Sequence, residues 1–188
     1  AIFDFNLRFG YKEWSDQGSS FDIRALQGRG LVQAGGVQWE RIVHFVENHD
    51  FDRNNFRNEA TQEGHSPIFG PKSLMYAHML ALPGQATLWY RDLFWYGSKL
   101  RDDIALLTHL RSKYFSGSYE ILTARGDVFF PGNVSEDPKN LMVLQRGGDT
   151  EDAGAIIAIN KGNTKIGVWV TSSKWANQKV YDLSLIHI

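Results

Sequence analysis

Apolar residues fall along this chain in two textures. Up to about residue 116, compact apolar runs alternate with stretches of helical spacing; beyond it, short alternating runs follow one another closely. Residues 1 to 7 read as a short buried strand, followed by a polar, Gly- and Ser-bearing stretch from Tyr11 to Ser20. Phe21 to Leu26 carries a weak helical pattern closed by Gly28 and Gly30. A second apolar run, Ile42-Val43-His44-Phe45-Val46, stops abruptly at Glu47-Asn48-His49-Asp50. A run bounded in this way fits a parallel-sheet strand whose carboxyl end opens into a site. After a polar, irregular stretch over residues 51 to 70, Pro71 suits the first residue of a helix through Ser73 to Ala81, stopped by Pro83-Gly84. A third strand is predicted at Ala86 to Tyr90, ending in charge at Arg91-Asp92. The next helix has Asp102 and Asp103 at its amino end and Ile104, Leu106, Leu107 and Leu110 as its apolar stripe.

Past Gly117 come the runs Tyr119 to Leu122, Val128 to Phe130, Leu141 to Leu144, Ala155 to Ile159 and Ile166 to Val170. Gly126, Pro131-Gly132, Gly147-Gly148 and Lys161-Gly162-Asn163 punctuate them, a spacing that predicts an antiparallel all-β module. The boundary is placed near residue 117. With no repeat, low-complexity tract or flexible linker, the two parts are expected to pack directly on each other.

Composition narrows the functional classes. The chain has 188 residues, 20 Lys plus Arg against 21 Asp plus Glu, a net charge of -1 and 43% hydrophobic residues. This excludes a disordered tail, a collagen-like rod and a highly basic nucleic-acid binder. The 6 Trp, 7 Tyr and 12 Phe can fill a large core, and surplus rings can stack on a planar or sugar ligand. Cysteine is absent, which removes disulfides, thiolate metal sites and cysteine nucleophiles and leaves the compartment, secreted or cytoplasmic, undecided. No run approaches the roughly 18 apolar residues of a membrane span, so no membrane partner is expected. The opening residues Ala1 to Phe5 look like mid-strand, so the start is expected to be a cut end.

The sharpest chemical signal is Asn48-His49-Asp50 at the end of a buried run, where α/β enzymes place ligand sites. On these three residues alone, a turn that caps the next element explains the pattern equally well. Arg53 could orient a site carboxylate or be a solvated loop residue. Trp89, Tyr90, Trp95 and Tyr96 fit either a sugar cleft or, for most of them, burial between the two parts. His44, His65, His78 and His109 lack metal spacing and read as packing or surface residues. Asn133-Val134-Ser135 is a formal glycosylation sequon, taken as a chance match.

Phe45-Val46-Glu47-Asn48-His49-Asp50 resembles the last short signature region of the α-amylase superfamily of glycoside hydrolases, usually Phe-Val-x-Asn-His-Asp. The likeness extends over nearly all of residues 1 to 182. Phe3 to Leu7 is similar to that family's sixth barrel strand, Ile42 to Asp50 to its seventh and Ala86 to Asp92 to its eighth. Ala77 to Gly84 resembles the helix and Pro-Gly turn before the eighth strand, and Tyr96 to Leu100 through Leu110 to Tyr114 the liquefying, endo-acting bacterial α-amylases. One departure is Tyr90-Arg91-Asp92, where the family usually has Tyr-Gly-Asp, which sets a bulky cation at the rim.

The resemblance implies an α/β fold: the C-terminal part of a (β/α)8 TIM barrel, strands six to eight, over residues 1 to 116, then an antiparallel β-sandwich over residues 117 to 182. It implies a parent that cleaves internal α-1,4-glucosidic bonds of starch or glycogen with retention, through a nucleophile and an acid/base about 5 Å apart. Asp50 matches the family's third, transition-state-stabilising carboxylate, His49 the histidine that holds a hydroxyl of the same sugar, and Asn48 a substrate-site position; Arg53, Tyr90 and Asp92 are candidate rim contacts. The nucleophilic Asp and general-acid Glu end the family's fourth and fifth strands, which precede this chain, so neither role passes to Glu47, Asp4 or Asp92. The fragment alone is therefore expected to be inactive. Unpaired edges and an open apolar face are expected to make it unstable or aggregation-prone. Its partner is an α-glucan, not a nucleic acid, and the complete protein is expected to be a monomer. Calcium is common in the family, but its best-known ligands also precede this chain; no cofactor is assigned to residues 1 to 188. A transglycosylase or maltooligosaccharide-forming member, or a catalytically silent glucan-binding relative, stays open. Leu183 to Ile188 resembles the translation of a transposon sequencing adapter, the alternative being a closing strand with His187 on its polar face.

Overall fold

A computed structural model describes residues 1–52, 66–130, 137–150, 153–171, 173–175 and 181–182. Arg53, His65, the sequon at Asn133 and the tail with His187 lie outside the described residues.

The first part places helices around a small parallel sheet. Strand β1 (Ile2–Phe3) leads into helix α1 (Phe5–Gln17), and a short helix α2 (Leu31–Ala34) precedes β2 (Ile42–Phe45). Helix α3 (Lys72–Ala81) connects to β3 (Gln85–Thr87), followed by α4 (Tyr90–Phe94) and the long α5 (Ser98–Tyr114). The strands lie in chain order β1-β2-β3, all parallel, with Ile2 opposite Ile42, Val43 opposite Gln85 and Phe45 opposite Thr87. Every residue of β2 is buried, as a central parallel strand requires. The sheet is open, with β1 and β3 at its edges. Beside β1, Phe3, Phe5 and Phe9 are about half exposed and continue through ring contacts to Phe45 and Phe51.

Four expectations change here. The first strand ends at Phe3 and is exposed, because Asp4 turns the chain: its Oδ1 accepts from Leu7 N–H at 3.2 Å and caps α1. The stretch read as a polar connection is therefore helical as far as Gln17, and Leu7, Tyr11 and Trp14 form its buried stripe at helical spacing. The third strand stops at Thr87, and Tyr90 begins α4. Asp102 and Asp103 lie past the first turn of α5, which starts at Ser98; Asp103 accepts from Ser73 Oγ at 2.6 Å and Lys99 Nζ at 3.1 Å.

In this first part, two positive-φ glycines are demanded by close approach. At Gly30 (φ 91°) a Cβ would stand 2.7 Å from Asp4 Oδ2. At Gly84 (φ 111°), in the turn that ends α3's connection, it would meet Ile42 O at 3.1 Å. The same turn is tied to β2 through His44, whose Nε2 lies 2.8 Å from Pro83 O and whose Nδ1 lies 3.1 Å from Asp4 Oδ2.

The second part is antiparallel wherever its strands pair. It runs β4 (Tyr119–Ile121), a short helix α6 (Leu122–Arg125) that the alternation did not predict, β5 (Val128–Phe129), β6 (Leu141–Arg146), β7 (Ala155–Asn160) and β8 (Trp169–Val170). Sheet order is β4-β6-β7, with β5 paired to β8 in a second, two-stranded sheet. Strand β6 is buried throughout, and its two-residue period divides two cores. Met142 and Leu144 join the large cluster around α1 and α3, whereas Leu141 and Val143 pack with Val128, Val168 and Val170. The two textures thus share the larger of these cores. Arg146 reinforces the contact by donating through Nη1 to Ala81 O at 3.0 Å. Among the described residues, no helix is long and apolar enough to cross a membrane.

Inside that core His78 is fully buried, its Nδ1 2.8 Å from the Tyr11 hydroxyl. Burial first, and the neighbouring His44 second, hold the imidazole down to about 3, so it is neutral in the folded chain. The unfolded chain takes up this proton near pH ~6.5. Below that value the unfolded state binds more protons, so stability falls as pH drops, at up to ~1.4 kcal/mol per pH unit from this residue. Urea titrations at pH 7 and 5.5 should show the loss, and His78→Gln, which keeps a polar partner for Tyr11, should reduce it. An undiminished loss in that variant would assign the proton elsewhere.

Candidate functional site

The carboxyl end of β2 carries the residues that the sequence marks as a candidate site. Phe45, Val46 and Glu47 are buried, Asn48 is half-buried, and the chain surfaces at His49 and Asp50, whose side chains are 74% and 63% exposed. Asn48 sets this emergence. Its Oδ1 accepts from the N–H groups of Asp50 at 3.0 Å and Phe51 at 3.2 Å, while its carbonyl accepts from Asp52 N–H at 3.0 Å. These bonds form an Asx-type turn. The amide of Asn48 therefore does the work of the turn reading, and leaves the imidazole and carboxylate after it facing outward. His49 Nε2 lies 3.3 Å from Asp50 Oδ1.

Beneath the turn is a layer of buried charge. Arg8, from α1, donates through Nη2 to Glu47 Oε1 at 3.1 Å and to Ser66 O, with its guanidinium 4.1 Å over the Phe51 ring. Glu47 Oε2 accepts from Ile68 N–H at 2.8 Å. Burial pushes the Glu47 carboxyl above its ordinary range, although the Ile68 N–H and Arg8 pull the other way.

Asp52 is the second anchor. Buried to 3% exposure, it accepts from Trp89 Nε1 at 2.6 Å and Tyr96 OH at 2.9 Å, and pairs with Arg91 Nη1 at 3.2 Å. It fastens the turn after β2 to the segment after β3. Asp92 is the third: fully buried, ion-paired with Lys72 and hydrogen-bonded by Tyr76 OH at 2.7 Å. Burial raises its carboxyl too, with Lys72 and Tyr76 opposing.

The structure therefore brings the turn at Asn48, His49 and Asp50 together with Trp89, the His49 and Trp89 rings standing 6.4 Å apart. Tyr90 is exposed, whereas Asp92, placed by sequence among the rim contacts, turns inward to Lys72. The aromatic residues do not follow the expectation of burial between the two parts. Tyr90 and Trp95 are exposed, and Trp89 and Tyr96 are drawn to Asp52 by their polar tips. Sequence reading missed Asp52, Arg8 and the pair Lys72 and Tyr76. The available signal for that pair was its i, i+4 spacing on α3, which puts a cation and a hydroxyl on one face.

Of the acids around the ends of β1, β2 and β3, Asp4, Glu47, Asp52 and Asp92 are buried and paired with His44, Arg8, Arg91 and Lys72 respectively, while Asp50 is exposed. A buried carboxylate is held by its protein partners, whereas an exposed one can also meet a ligand. Among the described residues, no group of three or more His, Asp or Glu side chains is arranged to hold a metal ion. Neither the protein-family models nor the curated proteins compared with this chain match it.

Proposed function

We propose that the chain is the C-terminal part of a retaining α-amylase-like glycoside hydrolase acting on internal α-1,4-glucosidic bonds of starch or glycogen. In this reading β1, β2 and β3 are barrel strands six to eight and residues 117 to 182 are the β-sandwich. What carries the reading is the contrast among the acids. One carboxylate, Asp50, is exposed at the carboxyl end of a buried parallel strand, where its acidic neighbours Asp4, Glu47, Asp52 and Asp92 are buried. Three parallel strands in chain order and the sequence likeness around Asn48-His49-Asp50 support it further.

Asp50 would favour the oxocarbenium-like transition state by accepting hydrogen bonds from ring hydroxyls that tighten as positive charge develops at the anomeric carbon. His49 would hold a hydroxyl of the same sugar, and Asn48 would fix both through the turn. The nucleophile and general acid would come from the two strands before this chain. The test is the upstream reading frame together with a reducing-sugar assay. An Asp and a Glu should end the two preceding strands, the complete protein should hydrolyse starch, and the purified 188-residue chain should release no reducing sugar. An upstream frame lacking those acids, or reproducible hydrolysis by the chain alone, would overturn the reading.

A further inference from the structure

We propose that Trp89 is a positioning residue that holds the His49 imidazole in the orientation the reaction needs. The inference rests on the glycosidase reading of the same turn and adds a residue to which that reading gives no part.

The Asn48 turn fixes the backbone of His49 but not its ring, because the bonds that close it come from main-chain groups and the Asn48 side chain. An exposed side chain is otherwise free to sample its rotamers, and a hydrogen bond to substrate has to freeze one of them. The indole of Trp89 limits that freedom. It neighbours the imidazole with centroids 6.4 Å apart and planes inclined by 37°, while Asp50 Oδ1 stands 3.3 Å from His49 Nε2.

Trp89 can steer a neighbour because it is itself held at two points. Its Nε1 donates to Asp52 Oδ2 at 2.6 Å, and its main-chain N–H donates to the Tyr76 hydroxyl at 3.3 Å. Both acceptors belong to buried networks: Asp52 also accepts from Tyr96 OH and pairs with Arg91, and Tyr76 is bonded to the buried Asp92. Asp52 in turn donates its N–H to Asn48 O at 3.0 Å. One residue thus closes the turn that carries His49 and orients the indole beside it. Arg91, donating to Asp52 O at 2.7 Å, already ties the segments after β2 and β3 together, so what Trp89 adds is a surface against His49. Small misplacements of a group that meets the reacting substrate are costly in rate.

The test is a double-mutant cycle in the complete protein, with Trp89→Phe and His49→Ala made singly and together and starch hydrolysis followed as reducing sugar. Trp89→Phe keeps a ring but loses the donor to Asp52, which retains Tyr96 and Arg91, so the melting temperature should stay near the parental value. The substitution should lower kcat about fivefold with KM changed less than about twofold, and should change neither once His49 is Ala. Trp89→Leu, which removes the ring as well, should cost about tenfold, again only with His49 present. Parental kcat in both Trp89 variants, or the same fold-loss with and without His49, would overturn the positioning role; the second result would mean that Trp89 supports the scaffold rather than the imidazole. Either result in an enzyme that hydrolyses starch leaves the glycosidase reading standing, whereas a complete protein without that activity overturns both.

Discussion

In the complete protein, Asp50→Asn should lower turnover on starch by about 100- to 1000-fold while leaving the melting temperature nearly unchanged. The two halves of this expectation have separate structural grounds. The turn is built from the Asn48 side chain and the backbone N–H groups of Asp50, Phe51 and Asp52, and the Asp50 carboxylate accepts none of those bonds. Its side chain is 63% exposed, so an isosteric amide neither opens a cavity nor strands a buried charge. The charge is what the variant removes. A carboxylate accepting from hydroxyls beside a developing oxocarbenium ion lowers the barrier more than it lowers the ground state, so the loss should fall on kcat rather than on KM. Parental turnover in Asp50→Asn would strip Asp50 of its role, and a large fall in melting temperature would show that its part is structural.

The turn at residues 48 to 52 was legible in the sequence because its signal is local: an apolar run stops and three polar residues follow. The parallel strand Ile42–Phe45, helix α3 and the antiparallel pairing after Gly117 were legible for the same reason. What stayed hidden depends on groups far apart in the chain. Asp4 looked like part of a strand because its capping role appears only when Leu7 N–H turns back to it, and Leu31 N–H and His44 complete its shell. Asp52 looked like one more polar loop residue, yet its partners Trp89, Arg91 and Tyr96 lie 37 to 44 positions away. Charges are seldom buried unless paired, and pairs made across such distances leave no local spacing to read. The candidate site was therefore readable at its exposed tip and unreadable in the buried layer that holds the tip in place.

That layer should show its worth in Arg8→Ala, expected to destabilise the chain by about 3–5 kcal/mol near neutral pH. Arg8 and Glu47 have fully buried side chains, and the substitution removes the cationic partner of Glu47 Oε1, the donor to Ser66 O and the group stacked on Phe51. The carboxylate left behind keeps the Ile68 and Asn48 N–H groups but loses the Arg8 cation that opposed its desolvation. Because burial already sets the Glu47 carboxyl above its ordinary range, losing Arg8 should raise it further. A carboxyl raised in the folded state adds stability below its unfolded pKa and loses it as pH climbs through the folded value. The variant's deficit should therefore shrink toward pH 4.5 and widen toward pH 7, in urea titrations run beside the parent. Removing both charges in Arg8→Met with Glu47→Gln should restore most of the lost stability, since no uncompensated ion then remains buried. A deficit in Arg8→Ala that is the same at both pH values, and that the double variant does not relieve, would mean that Arg8 acts by filling space over Phe51 rather than by neutralising Glu47.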